Sequence, residues 1–230
     1  MSPLAGEFAL PGTGTRAPVL ASLSVMAGGP GPPAIAVPRL RGKARGRYRS
    51  TWTNGGVGLP SPQAAVRAAV PADAEQVAAI FAHYVTTSVA TFEEVAPTAA
   101  DWRRRLDELA GRNLPFLVAE AGGSVCGFAY ASPWRPKAAY RHTVEDTVYL
   151  SPGNTGRGIG SALLGGLLAG CAAAGARQVI AVIADTGSDA SAALHRRFGF
   201  TQAGRLSGVG RKHGRWIDTV LMQKDLGAGR

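Results

Sequence analysis

Thr155-Gly156-Arg157-Gly158-Ile159-Gly160-Ser161 sets three glycines at every second position, between an apolar run that ends at Leu150 and a leucine-rich run at Leu163, Leu164, Leu167 and Leu168. Glycine lets successive backbone N–H groups turn inward, and a helix that starts here points its positive end at the same place. Together these predict an anion site, most simply for a pyrophosphate. A P-loop is excluded, since no Lys-Ser/Thr pair follows the last glycine. A dinucleotide fingerprint would use Asp185 at the end of the next strand, but five residues, Ser151 to Thr155, separate strand from loop where that fingerprint needs a tight turn. The loop also sits mid-chain, with few βα units on either side, and a third reading is plain turn punctuation.

Outward from the loop the pattern alternates. Upstream, Val66 to Val70 reads as a strand, and Pro71-Ala72-Asp73 opens a helix carrying Val77, Ile80, Phe81, Tyr84 and Val85 on one face. Pro97 to Asp101 opens a second helix with Trp102, Leu106 and Leu109 as its apolar stripe, stopped by Gly111 and Pro115. Phe116 to Ala121, Ser124 to Ser132 and Thr143 to Leu150 read as strands, the first two joined across Gly122-Gly123. Downstream come the loop's helix, a strand from Gln178 to Ala184, a helix from Ser188 to Phe198 stopped at Gly199, and strands from Thr201 to Leu206 and Trp216 to Gln223. The order β-α-α-β-β-β-α-β-α-β-β predicts an α/β fold, a single mixed sheet with helices on both faces.

The chain has 230 residues and a net charge of +10, from 25 Lys and Arg against 15 Asp and Glu. Residues 1–62 carry seven of the basic residues and one acid, with eleven Gly and nine Pro. That composition predicts a disordered, Gly/Pro-rich basic extension, with the folded domain spanning 63–230. The run Ala17 to Ala27 lacks the flanks of a signal peptide, and no apolar run is long enough for a transmembrane helix. Cys126 and Cys171 lie far apart in apolar segments, which fits neither a disulfide framework nor a metal cluster and suggests a reducing, cytoplasmic location. His83, His142 and His213 show no metal-ligand spacing, so no metal is expected.

The glycine loop resembles the acetyl-CoA signature of the GNAT N-acetyltransferase superfamily. A closer resemblance, to phosphinothricin N-acetyltransferases, is carried by His83-Tyr84, Leu117-Val118-Ala119-Glu120, Ala129-Tyr130-Ala131-Ser132-Pro133-Trp134, Thr143-Val144-Glu145-Asp146-Thr147-Val148-Tyr149-Leu150, Leu194-His195 with Gly199-Phe200, and Lys212-His213-Gly214-Arg215-Trp216-Ile217-Asp218. These motifs run from about Val66 to Leu226 and leave residues 1–62 uncovered. Methionine sulfoximine and sulfone acetyltransferases share much of the pattern. The resemblance implies the GNAT fold, with a mostly antiparallel sheet, and direct transfer of an acetyl group from acetyl-CoA to the amino group of a small anionic amino acid such as phosphinothricin. Antibiotic or herbicide resistance and a homodimer are also implied.

Aminolysis of a thioester needs a general base for the ammonium, N–H donors for the developing oxyanion and a proton donor for the departing thiolate. By resemblance Glu145 is the base. Read from the residues alone, Glu145 and Asp146 are neighbours on a strand and face opposite sides, so only one of them can face solvent freely. His195 falls where many superfamily members carry the Tyr that protonates the thiolate; it reads as donor or proton relay, or else as a histidine packed against Phe200. Transfer without a covalent intermediate makes Cys126 and Cys171 dispensable. Cofactor contacts carry over as Val148, Tyr149 and Leu150 beside the pantetheine arm, Gly156, Arg157, Gly158, Ile159, Gly160 and Ser161 at the pyrophosphate, and Ser188 where the family has Asn. Thr155 replaces the usual Gln or Arg. Phe92 matches an aromatic wall of the substrate site, and Arg135, Lys137 and Tyr140 match its anion-holding loop with the two cations exchanged in type. Arg141-His142 and Gly210-Arg211 depart from the family's Asp-Trp and Gly-Phe. An alternative from another class is a non-catalytic acyl-CoA-binding module whose tail, Arg39 to Arg49, binds polyanions.

Overall fold

Two strand periodicities and one glycine-rich helix organise the molecule. The computed structural model describes residues 64–227; the expected extension, residues 1–62, lies outside the described residues. The elements follow the expected order: β1 (Ala65–Ala68), α1 (Ala74–Thr87), α2 (Ala99–Gly111), β2 (Phe116–Ala121), β3 (Ser124–Pro133), β4 (Thr143–Leu150), α3 (Ile159–Ala173), β5 (Gln178–Ala184), α4 (Ala190–Arg197), β6 (Thr201–Lys212) and β7 (Arg215–Asp225). One sheet, ordered β1-β2-β3-β4-β5-β7-β6, is antiparallel throughout except between β4 and β5.

Alternation along the strands sorts the core into two layers. Val118, Phe128 and Tyr130 face α1 and α2, where they meet Phe81, Trp102 and Leu109. Ala119, Ala129, Ala131, Val144 and Val179 face α3, where Leu163, Leu164, Leu167 and Cys171 are buried. Beside those leucines, Gly166 and Gly170 let α3 approach Leu117 and Pro115 closely. A Cβ at Gly170 would come within 2.8 Å of Pro115 Cβ, so even alanine would push the helix away.

Local chemistry marks the element ends. Thr98 Oγ1 accepts from the Asp101 N–H at 3.2 Å while Asp101 Oδ2 accepts from the Thr98 N–H at 2.8 Å, a reciprocal cap for α2. Asp73 ends the short 3₁₀ turn Pro71–Asp73 before α1. Its two oxygens accept from Arg67 Nη1 and Nη2 at 2.7 and 2.8 Å, and Arg67 Nε reaches Glu120 Oε2 at 2.8 Å. Hydrogen bonding to Arg67, with help from the Val70 N–H and against the effect of burial, holds the Asp73 carboxyl below its ordinary range. A depressed carboxylate stabilises the fold at neutral pH and loses that contribution as pH falls through its folded value. Arg67→Met is expected to cost about 1–2 kcal/mol at neutral pH, because it strands a buried carboxylate. The cost should shrink in acid, as read from urea unfolding at several pH values.

Three expected boundaries shift. β1 pairs with β2 only through Ala68 and does not continue to Val70. α4 starts at Ala190, two residues after Ser188, because Ser188 Oγ accepts from the Ala190 N–H and forms a turn ahead of the helix. β6 and β7 form a long hairpin running past Leu206 and starting before Trp216, turned at His213-Gly214 with φ of 49° and 73°. The interruption at Ser207-Gly208-Val209 is a bulge. Gly208 adopts φ of 59° and donates its N–H to Asp218 Oδ1 at 2.8 Å.

Candidate active site

The β4–β5 ladder is parallel and short. It runs from Thr143↔Gln178 to Asp146↔Ala181 and stops, while β4 stays paired to β3 as far as Leu150 and β5 to β7 as far as Ala184. Beyond Asp146 the two strands part. Thr147, Val148, Tyr149 and Leu150 therefore border a split in the middle of the sheet, with β5 no longer beside them. An extended amide-bearing chain can add there as a strand would. The Leu150 carbonyl is held by the Tyr84 hydroxyl at 2.7 Å, and the Tyr149 hydroxyl donates to the Ala90 carbonyl at 3.1 Å. Neither tyrosine contact was signalled by the local sequence.

The glycine loop lies at the end of that split. Gly153, Gly156 and Gly158 have φ of 80°, 74° and 78°, and open space lies where a Cβ would stand on each. Gly158 is the residue before α3; no side chain caps the helix and no acid sits in its first turn. The free N–H groups of Ile159, Gly160 and Ser161, with exposed Arg157 beside them, fit an anionic ligand. Ser188 is exposed in the β5–α4 loop, its hydroxyl engaged in the turn described above.

Glu145 and Asp146 part company as strand geometry requires. Glu145, half-buried, shares its face of β4 with Tyr149, toward α1 and α2. Burial, reinforced by the Asp146 charge and opposed by Arg135, raises the Glu145 carboxyl above its ordinary range. Asp146 points to the other face and meets His195 there: Nε2 lies 2.9 Å from Asp146 Oδ2, and Nδ1 lies 2.7 Å from the Ser191 carbonyl. The His195 ring also stands edge-on to Phe200 at 4.9 Å between centroids. Burial works against the charged imidazole, but the hydrogen bond and charge of Asp146 and the Ser191 carbonyl outweigh it, so the His195 pKa is raised. The sheet thus separates Glu145 from His195, and both ring nitrogens of His195 are occupied within the protein.

Arg135, Lys137 and Tyr140 are exposed on the β3–β4 connection, with the Arg135 guanidinium 4.5 Å from the Trp134 ring centre and its charge acting on Glu145. Phe92 reaches the hairpin: its ring covers Gly210, where a Cβ would lie 2.3 Å from Phe92 Cε2. Lys212, buried, donates to the Thr91 carbonyl at 2.9 Å and ties the same loop to β6. Burial lowers the Lys212 pKa against the pull of Glu94 and Glu93. The motif Lys212-His213-Gly214 was a recognisable signal, but nothing local joined it to Thr91. Cys126 and Cys171 are buried free thiols, raised by burial, Cys171 to about 12 with Asp146 adding to the effect. Among the described residues no group of His, Cys, Asp or Glu could hold a metal.

A mixed sheet parted between β4 and β5, with a glycine-rich helix start at the opening, defines one fold class, and residues 66–221 match the model of the acetyltransferase (GNAT) domain. The chain belongs to the GNAT acetyltransferase family and is an acetyl-CoA-dependent N-acetyltransferase. Among its relatives, it is 47% identical over 174 residues to a phosphinothricin N-acetyltransferase of Alcaligenes faecalis, covering 76% of this chain and 88% of that one. It is 37% identical over 164 residues to an L-methionine sulfoximine/L-methionine sulfone acetyltransferase of Pseudomonas paraeruginosa, covering 71% and 95%. A crystal structure of a GNAT superfamily phosphinothricin acetyltransferase from Sinorhizobium meliloti in complex with AcCoA superposes with a TM-score of 0.69 at 45% identity, over 72% of this chain and 89% of that one.

Proposed function

We propose that the protein transfers the acetyl group of acetyl-CoA to the amino group of phosphinothricin or a similar small anionic amino acid, with Glu145 as general base. The observation that carries the reading is a single half-buried carboxylate with a raised pKa beside the β4–β5 split, with cations on the adjoining connection. When bound, acetyl-CoA supplies the activated acyl group as a thioester. The N–H groups bordering the split on β4 offer donors to the carbonyl oxygen as charge develops there. Glu145 takes a proton from the ammonium, directly or through water, and its raised pKa brings it nearer to that task at neutral pH. Arg135, Lys137 and Tyr140 hold the substrate's anionic groups, and Phe92 walls the apolar part of its chain. Val148, Tyr149, Leu150 and Ser188 border the pantetheine arm; Gly156 to Ser161 hold the pyrophosphate.

A panel of amino acids with acetyl-CoA and thiol release as the readout tests this. Phosphinothricin, or methionine sulfoximine or sulfone as the second reading, is expected to lead the panel; no turnover of any of the three overturns it. Gly158→Val forces a β-branched residue into a left-handed backbone at the loop. It is expected to raise KM for acetyl-CoA about tenfold and to leave KM for the amino acid nearly unchanged.

Two further parts of the reading concern setting. Action in the cytoplasm as a resistance enzyme follows from the proposed substrate and from two reduced, buried thiols. A homodimer through the β6–β7 hairpin is supported by exposed Leu206, Val209 and Trp216, the last 70% exposed. Light scattering at micromolar concentration is expected to give twice the chain mass, and Trp216→Glu to reduce it.

A further inference from the structure

We propose that Gly210 is a positioning residue that sets the depth of the amino-acid site: having no side chain, it lets the Phe92 ring lie back against the β6–β7 hairpin and so decides which substrate side chains fit in front of that ring. The inference rests on the acetylation of an anionic amino acid proposed above, in which Phe92 is a wall of the site.

The backbone around Phe92 is fastened to both halves of the parted sheet. Phe92 lies in the connection between α1 and α2. Just before it, the Ala90 carbonyl accepts from the Tyr149 hydroxyl on β4 at 3.1 Å, and the Thr91 carbonyl accepts from Lys212 Nζ on β6 at 2.9 Å. Just after it, the Glu93 N–H donates to Thr91 Oγ1 at 3.2 Å. Thr91 and Lys212 are buried. Tyr149 shares Glu145's face of β4, so the connection crosses the opening of the split on the side of the proposed base. The Gly210↔Ile217 pair lies beyond Thr219↔Ala184, the last register of β7 with β5, so the crossing ends past the tip of β5.

With the backbone held, the place of the ring is decided by what it rests on, and it rests on Gly210. The three heavy atoms nearest to a Cβ placed at Gly210 all belong to Phe92, and the farthest of them, Cδ2, would be only 2.8 Å away. Ordinary carbon contacts lie at about 3.5–4.0 Å, so a methyl at 210 and the ring in its present place exclude each other. Gly210 is buried and pairs regularly with Ile217; unlike Gly208, it has no positive φ. Alanine there meets no backbone strain, and the obstacle to it is the ring. Phe92 as a whole is 40% exposed, so space is open on the side away from Gly210, and a methyl at 210 would drive the ring that way. The substrate's charged ends are held by cations; its methylenes are what the displaced ring would meet.

Steady-state kinetics with the amino acid that leads the panel test this. Gly210→Ala is expected to raise KM for that amino acid about 10- to 100-fold, the scale on which a methylene's worth of pocket discriminates, with kcat and KM for acetyl-CoA within about threefold. In a Phe92→Ala background, where no ring stands over position 210, the same change should alter that KM by less than about threefold. A cycle of urea unfolding reads the contact without turnover: Gly210→Ala should destabilise the wild type and should leave Phe92→Ala unchanged or firmer, because alanine is otherwise the better strand residue. Equal effects of Gly210→Ala in the two backgrounds, in KM or in unfolding, overturn the proposal. So does a Gly210→Ala protein in which kcat and both KM values shift together. Should Gly210→Ala not fold, the double variant Gly210→Ala/Phe92→Leu carries the test: a folded protein with KM within about threefold of Phe92→Leu supports the contact, and an unfolded one overturns it. A wild type that acetylates none of the panel defeats the functional reading and this inference with it; an active wild type whose Gly210→Ala variant keeps its KM defeats this inference alone.

Discussion

Glu145→Gln is expected to lower kcat/KM by about 10²- to 10⁴-fold, the range over which a positioned general base contributes. Acetyl-CoA affinity should hardly change, because the glycine loop and the edge of the split lie elsewhere on β4 and α3. Two accompanying results separate a lost base from a damaged fold. First, the wild-type kcat/KM should fall on acidification through a value above the ordinary glutamate range, since burial and the Asp146 charge, against the pull of Arg135, leave the carboxyl raised. That acid limb should vanish from the residual activity of the variant. Secondly, a carboxyl whose folded pKa is raised favours the fold when protonated and opposes it once pH has risen past that value. Removing its charge should therefore leave the melting temperature at neutral pH unchanged or higher. A variant that melts lower and still keeps most of its activity would rule out Glu145 as the base.

The largest effect on stability is expected at Trp102. Its side chain is 2% exposed and meets Phe81, Phe128, Tyr130 and Phe116 at centroid distances of 5.3, 5.3, 5.9 and 6.1 Å. The Arg105 guanidinium lies 5.3 Å from its ring centre and donates to the Tyr130 hydroxyl at 2.8 Å. Trp102→Ala removes the centre of the layer between α2 and the sheet and should cost about 3–5 kcal/mol. For a domain of this size that lowers Tm by roughly 10 °C or more, and it is a large share of the about 5–15 kcal/mol available to a typical fold. Trp102→Phe is the informative partner. The indole N–H is buried without a hydrogen-bond partner among the described residues, so phenylalanine loses packing but also an unsatisfied donor. Its cost should be the smaller by about 1–3 kcal/mol. Equal losses in the two variants, by chemical unfolding, would contradict this account of the layer.

Much of this architecture is legible in the chain itself. Strands β2, β4 and β5 are short apolar runs closed by Gly, Pro or loop residues, and they fall where their patterns place them. The bulged hairpin is less legible. A backbone that tolerates Gly208 in a left-handed conformation interrupts the period of two without ending the strand, so local pattern reads a stop where the ladder resumes at Gly210↔Ile217. At the site, alternation already says that Glu145 and Asp146 diverge. It does not say which of them His195 joins, because that depends on which face α4 packs against. The Lys212 bond to Thr91 spans 121 residues, and no local period encodes a contact of that range.

The parted strands also divide the sheet mechanically. β1 to β4 form one ribbon and β5, β7 and β6 another, and the seam between them is a parallel ladder of four registers. Between Thr147 and Leu150 the amides that face the split, and not β3, have no cross-strand partner, so deuterium should enter those alternate positions faster than their central location suggests. A ligand lying in the seam would bridge both ribbons. Acetyl-CoA would then serve as a rivet as well as a reagent, slowing exchange on β4 and β5 together and tying the resistance of the whole sheet to unfolding to the supply of its own acyl donor.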